Sequence, residues 1–213
     1  MVENAGIAVN TGSLTLDGTA TDRITVRGEV ETPGYWEMLN YRSNNPGNIL
    51  RFADVSHGGS GASFGFSGNI ESSVLVTNGG EVTTEDSTIN ESEDAGVTVQ
   101  PTGEFGSFAR NAFNENEGPG LRVLPRHVVQ LDAATLCGGA VGRANDDPWI
   151  DVVDDSSGEP REVTVDDSGS WPSTDVPYRV SAIPRIETGV TVDIDSGGRC
   201  TGFRHPESEW HRR

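Results

Sequence analysis

An all-β chain of stacked parallel strands, a β-solenoid, is what this sequence predicts, and three observations point to it. One phrase recurs in register: Ile89–Val99 reads INESEDAGVTV, and Phe113–Val123, twenty-four positions on, reads FNENEGPGLRV. A Gly followed by an aliphatic residue, any residue and Val also occurs at Gly6–Val9 and Gly189–Val192. Helical periodicity is nearly absent. A phrase repeated at such a spacing marks a chain built of similar layers.

Short alternating runs, each ended by Gly, Asn, Asp or Ser, read as strands. In order they are Ser13–Leu16, Arg23–Val26, Ile49–Phe52, Ser73–Val76, Gly96–Val99, Gly120–Val123 and Val128–Leu131. Trp149–Val153, Arg161–Val165, Tyr178–Ala182 and Val190–Ile194 follow. With no helices between them a βαβ design is excluded, which leaves a sandwich or a solenoid. Asn78–Gly79 fits a hairpin turn and equally a corner between layers. The 24-residue recurrence decides for the solenoid. At roughly 22–24 residues per rung the chain gives about nine rungs and a rod of about 45 Å. Asn90 and Asn114 then lie one rung apart, where stacked Asn side chains hydrogen-bond in a ladder.

The 213 residues suit a single domain. There are 33 acidic and 15 basic residues, a formal charge of −18, and every basic residue is Arg. Such a charge argues against nucleic acid, whose phosphates need clustered cations. High charge with few aromatics is also the signature of disorder. Leu, Ile, Val and Phe make up 47 of 213 residues, just above the roughly 20% where disorder becomes the default. The abundance of Val and the repeated phrase favour order. Cys137 and Cys200 lack metal-like spacing and read as free or buried thiols. No apolar stretch is long enough to span a membrane. The N-terminal MVENAGIAVN lacks the basic and apolar regions of a signal peptide.

From Gly12 onward the wording becomes specific. GSLTLDGTATDRITVRG, TPGYW and SNNPGNILRFADVSHGG, with QLDAATLCGG and WPSTDVPYRV later, resemble right-handed parallel β-helix repeat proteins of the pectin-lyase-like fold, found on haloarchaeal and bacterial cell surfaces. Arg23 stands where that family usually has Pro. The acidic, Lys-free composition resembles that of proteins from salt-accumulating haloarchaea. The resemblance implies an all-β right-handed parallel β-helix with little or no helix over 1–198, cut mid-unit at both ends. A divergent tail, 199–213, is expected to be disordered. Uncapped rungs at the ends imply end-to-end association.

Family members that are enzymes act on polysaccharides, and the resemblance implies that carboxylates and aromatics are the residues to consider for that role. Asp146–Asp147, Asp154–Asp155 and Asp166–Asp167 are acidic pairs, but such pairs are common in an acidic chain, and no catalytic residue is assigned. Asp151, Asp154 and Asp155, with Arg161 nearby, could supply oxygens to a Ca²⁺, although DVVDDSSGE lacks the spacing of a defined calcium loop. Tyr35, Trp36 and Tyr41 could line a sugar-binding strip with His57, for which Asp54 is the nearest carboxylate in sequence. The sequence demands no cofactor. The expectation is a structural, glycan-binding or protein-binding module of a halophilic surface or secreted protein, whose partners are polysaccharide or envelope proteins. The alternative is a polysaccharide lyase or hydrolase on the same fold.

Overall fold

The computed structural model describes residues 1–61, 70–140, 142–154 and 161–201. Asp155 and the expected tail from 202 onward lie outside the described residues. The strands are short, and successive passes of chain repeat one itinerary. The first pass lays down β1 (Ile7–Val9), β2 (Thr15–Asp17) and β3 (Ile24–Arg27). The second gives β4 (Leu39–Tyr41), β5 (Ile49–Arg51) and β6 (Ala53–Ser56). The third gives β7 (Ser72–Val76), β8 (Glu81–Glu85) and β9 (Thr88–Asn90), and the fourth β10 (Ala95–Val99), β11 (Glu104–Ala109) and β12 (Ala112–Asn114). The fifth has β13 (Leu121–Val123) and then a 3-10 turn, Pro125–Gln130. The sixth gives β14 (Ile150–Val152), β15 (Glu162–Val165) and β16 (Gly169–Trp171). The seventh gives β17 (Tyr178–Val180), β18 (Ile183–Ile186) and β19 (Val192–Ile194), and β20 (Cys200–Thr201) starts another.

The first strands of all passes form one eight-stranded sheet, β1-β4-β7-β10-β13-β14-β17-β20. The second strands form β11-β8-β5-β2 and the third strands β12-β9-β6-β3, with two-stranded sheets β15-β18 and β16-β19 beyond them. Every pairing within these sheets is parallel. Asn78–Gly79 joins β7 to β8, which belong to different sheets, so it is a corner.

One expected strand is absent. Val128–Leu131 is not a strand but falls largely within the 3-10 turn. Pro125 opens that turn; its fixed φ and missing N–H cannot extend the edge offered by β11. Among the described residues the longest sheet has eight strands, beside the roughly nine rungs expected for the chain. Successive passes are separated by 23 residues from Val74 to Val97 and 24 from Val97 to Leu121. Inserted chain stretches the interval to 32 from Ile7 to Leu39 and 35 from Leu39 to Val74.

Alternation within each strand directs one set of side chains to the core. In the long sheet Val9, Tyr41, Val76 and Val99 form one inward row. Val123, Val152 and Val180 continue the same row. The other sheets add Leu50, Val55, Ile89, Phe108 and Phe113, all buried. Phe108 stacks on Phe113 with ring centroids 6.3 Å apart. Gly96 and Gly120, the shared glycines of the repeated phrase, make room for that ring. A Cβ on Gly120 would come within 2.6 Å of the Phe113 Cβ, and one on Gly96 within 2.7 Å of the Gly120 carbonyl.

Asn114 Nδ2 donates to Asn90 Oδ1 at 2.9 Å, the predicted ladder between in-register neighbours. A deeper ladder runs beside it. Ser92 N–H donates to Asn116 Oδ1 at 3.0 Å, and Asn116 Nδ2 donates to Asn145 Oδ1 at 2.8 Å. Asn145 Nδ2 in turn donates to the carbonyls of Cys137 and Phe113 at 2.7 and 3.1 Å. These buried amides satisfy backbone groups where the chain turns and no strand can do so.

His127 sits fully buried in the 3-10 turn. Its Nδ1 accepts the Leu124 N–H at 3.3 Å, and its Nε2 has no hydrogen-bond partner, with Glu104 Oε2 standing off at 3.9 Å. Burial, and then the charge on Arg126, push the imidazole from 6.5 down to about 3. The unfolded chain therefore takes up this proton first, so stability falls as pH drops from 6.5 towards 3. The expected slope from this one group is about 1.4 kcal/mol per pH unit. Urea unfolding across that range in wild type and His127→Asn, which keeps an acceptor for Leu124, should differ by that slope. Parallel curves would show that His127 is not the group responsible.

Candidate functional site

Of the four residues expected to line a ligand strip, Trp36 N–H donates to the His57 carbonyl at 3.3 Å, and Tyr35 and His57 both flank Gly28. Trp36 and Tyr41 are fully buried in the core cluster, so neither ring offers a face to a sugar. Trp36 Nε1 donates to the Ser56 carbonyl at 2.7 Å. Burial raises the Tyr41 phenol above its ordinary value. Tyr35 is half-buried, and His57 is 4 % exposed. The physical reason is the pleat: Tyr41 shares the inward row of Val9 and Val76.

Of the three acidic residues expected to offer oxygens to Ca²⁺, Asp151 and Asp154 are described. Asp151 is engaged by two guanidiniums, and Asp154 accepts the backbone N–H of Arg161. Asp155 lies outside the described residues. Among the described residues no group of three or more His, Cys, Asp or Glu could hold a metal ion. Both cysteines are free. Burial drives the Cys137 thiol well above its usual value, aided by the charges of Asp175 and Asp132.

What the sheet does assemble is a charged strip on the outer side of its longest face. The middle residues of successive strands, Thr98, Arg122, Asp151 and Arg179, are in-register neighbours. Their flanking residues point to the core, so this row points away from it. Arg122 bonds Asp94 at 2.6 Å and Asp151 at 3.3 Å. Arg179 takes both Asp151 oxygens, at 2.8 and 2.9 Å, and its guanidinium lies 4.3 Å from the centre of the Trp149 ring. Burial opposes the charge on Arg122, but Asp94 and Asp151 outweigh it and hold the guanidinium's pKa up. Beside the strip, burial raises the Asp147 carboxyl above its ordinary range; Arg179 opposes the effect, and Asp151 and Asp94 reinforce it. Asp147, Trp149 and Asp151 lie close together in the sequence, but Arg122 and Arg179 come from the neighbouring passes, and no spacing within the sequence reveals them.

A second polar group sits at the corner after the third sheet. His57, Glu91 and Glu115 follow β6, β9 and β12 and all have φ between 50 and 65°. His57 Nε2 lies 2.9 Å from Glu91 Oε2, and Ser56 Oγ lies 3.5 Å from His57 Nδ1. Asp54, the neighbour in sequence, is instead held by Arg23 at 2.8 Å. Arg143 bonds Glu115 at 2.6 Å.

Comparison of the chain with protein-family models, with characterised proteins and with solved structures finds no match. No helix among the described residues is long and apolar enough to cross a membrane.

Asp151 is 3 % exposed and compensates two guanidiniums, so its removal strands both. Asp151→Ala should cost about 3 kcal/mol, the low end for unpairing a buried ion. Arg27→Ala, which breaks an exposed pair with Glu31, should cost less than about 1 kcal/mol. Chemical denaturation of both variants in molar salt measures the difference; equal losses would contradict the assignment.

Proposed function

We propose that the chain is a stretch of right-handed parallel β-helix serving as a structural or binding module of a halophilic surface or secreted protein. The strand order supports the coil: three sheets are visited in turn, and each pass pairs in parallel with the next. Right-handedness follows from the strong preference of parallel crossovers. The absence of Lys and the charge of −18 support a saline setting, where molar salt shortens the screening length to about 3 Å.

The observation that carries a binding role is the Arg122–Asp151–Arg179 row with Trp149 beside it. A flat array of guanidinium, carboxylate and indole suits the hydroxyls and carboxylates of a polysaccharide or the polar surface of an envelope protein. The raised Asp147 carboxyl favours one further reading, a lyase or hydrolase in which Asp147 supplies a proton.

One experiment separates these readings. Calorimetric titration in molar salt against uronate-bearing and neutral polysaccharides is expected to detect binding to one class. Arg179→Ala should weaken it at least about tenfold, or 1.4 kcal/mol. Binding unaltered by Arg179→Ala, or no binding across the panel, would remove the glycan role. Chain shortening that disappears in Asp147→Asn would establish the enzyme.

A further inference from the structure

Ser56 ends β6 with its side chain on the same outer face as Asp54, because Ala53 and Val55 are the buried members of that strand. The next residue, His57, turns into the left-handed region at φ 65°. Its ring then stands between two groups from different passes: Ser56 Oγ at 3.5 Å from Nδ1, and Glu91 Oε2 at 2.9 Å from Nε2. An ionised carboxylate only accepts, so Nε2 carries the hydrogen of the neutral ring. The lone pair on Nδ1 is thereby aimed at the Ser56 hydroxyl. Asn90 is the in-register neighbour of Ser56. Its Oδ1 is taken by Asn114, which leaves the Nδ2 hydrogens for another acceptor.

We propose that Ser56, His57 and Glu91 form an acyl-transfer site that hydrolyses small carboxylic esters. The Ser56 proton passes to His57 Nδ1 while Oγ bonds to the ester carbonyl carbon, whose oxygen becomes an oxyanion. The Asn90 amide is the donor that meets this charge. Collapse breaks the carbon–alkoxy bond, and His57 returns its proton to the leaving alcohol. Water, deprotonated by the same nitrogen, then adds to the acyl-serine and releases the acid, restoring Ser56. Glu91 acts through His57 as a positioning residue that fixes the tautomer. The 3.5 Å contact is of the kind that shortens when substrate binds.

The test uses the intact chain in molar salt with a fluorophosphonate label and p-nitrophenyl acetate. Mass spectrometry is expected to find the label on Ser56, and Ser56→Ala should lose the label and at least about 100-fold in rate. The thermal midpoint of that variant should not change. Glu91→Gln should lower kcat about tenfold or more with KM unchanged, and Glu91→Asp should recover part of it. A label carried elsewhere, no label on folded wild type, or turnover surviving in Ser56→Ala overturns the proposal.

Discussion

The structure depends on each strand finding its hydrogen-bond partners in the passes on either side. Strands of two to six residues cannot satisfy their own backbone, and among the described strands no hairpin within a pass supplies a partner. Register is therefore the governing constraint. A slip of one residue would turn the row of Val9, Tyr41 and Val76 outward and bring Asn40 and Leu75 in. Corners must repeat as faithfully as strands. Phe52, Asp86 and Arg110 take positive φ between the second and third sheets, as His57, Glu91 and Glu115 do beyond the third. The buried Asn116 and Asn145 amides hold turning backbone that has no strand opposite it.

The same stacking explains why a chain without Lys is so rich in Arg-to-acid contacts between passes. Arg51 reaches Asp17 on one side and Glu85 on the other. Arg110 takes Asp86, Arg122 bridges Asp94 and Asp151, and Arg143 takes Glu115. A planar guanidinium can donate to carboxylates on two edges, whereas an ammonium is a point charge. Arg23 bonds Asp54, the Asp86 carbonyl and Thr88, linking the first three passes. Acid in excess of these partners remains on the surface, where salt screens it.

Much of the scaffold was legible because it is periodic. The Asn90–Asn114 pair and the glycines at 96 and 120 were readable from one repeated phrase, and the structure gives each a contact. Other strands were hidden by composition. EVTTE and TIN, which form β8 and β9, carry one inward aliphatic each among polar residues and show little alternation. HVVQ looks like a strand until Pro125 is considered. Site geometry was less legible still. Trp36 and Tyr41 are aromatic for packing, and the partner of His57 is Glu91, thirty-four residues away, not Asp54. Contacts between passes depend on how much chain is inserted in each, and the intervals of 32 and 35 residues obey no repeat.

In-register parallel stacking can be tested by a disulfide trap in a Cys200→Ser background. Neighbouring strands lie about 4.8 Å apart, inside the roughly 4.4–6.8 Å Cα separation a disulfide spans. Asn90→Cys with Asn114→Cys joins residues opposite each other on β9 and β12, whereas Thr88→Cys with Asn114→Cys is offset by two. Under mild oxidation the first pair should close fully and raise the thermal midpoint, and the second should stay reduced. Equal cross-linking of the two pairs, or none in either, would contradict the stacking on which the rest is built.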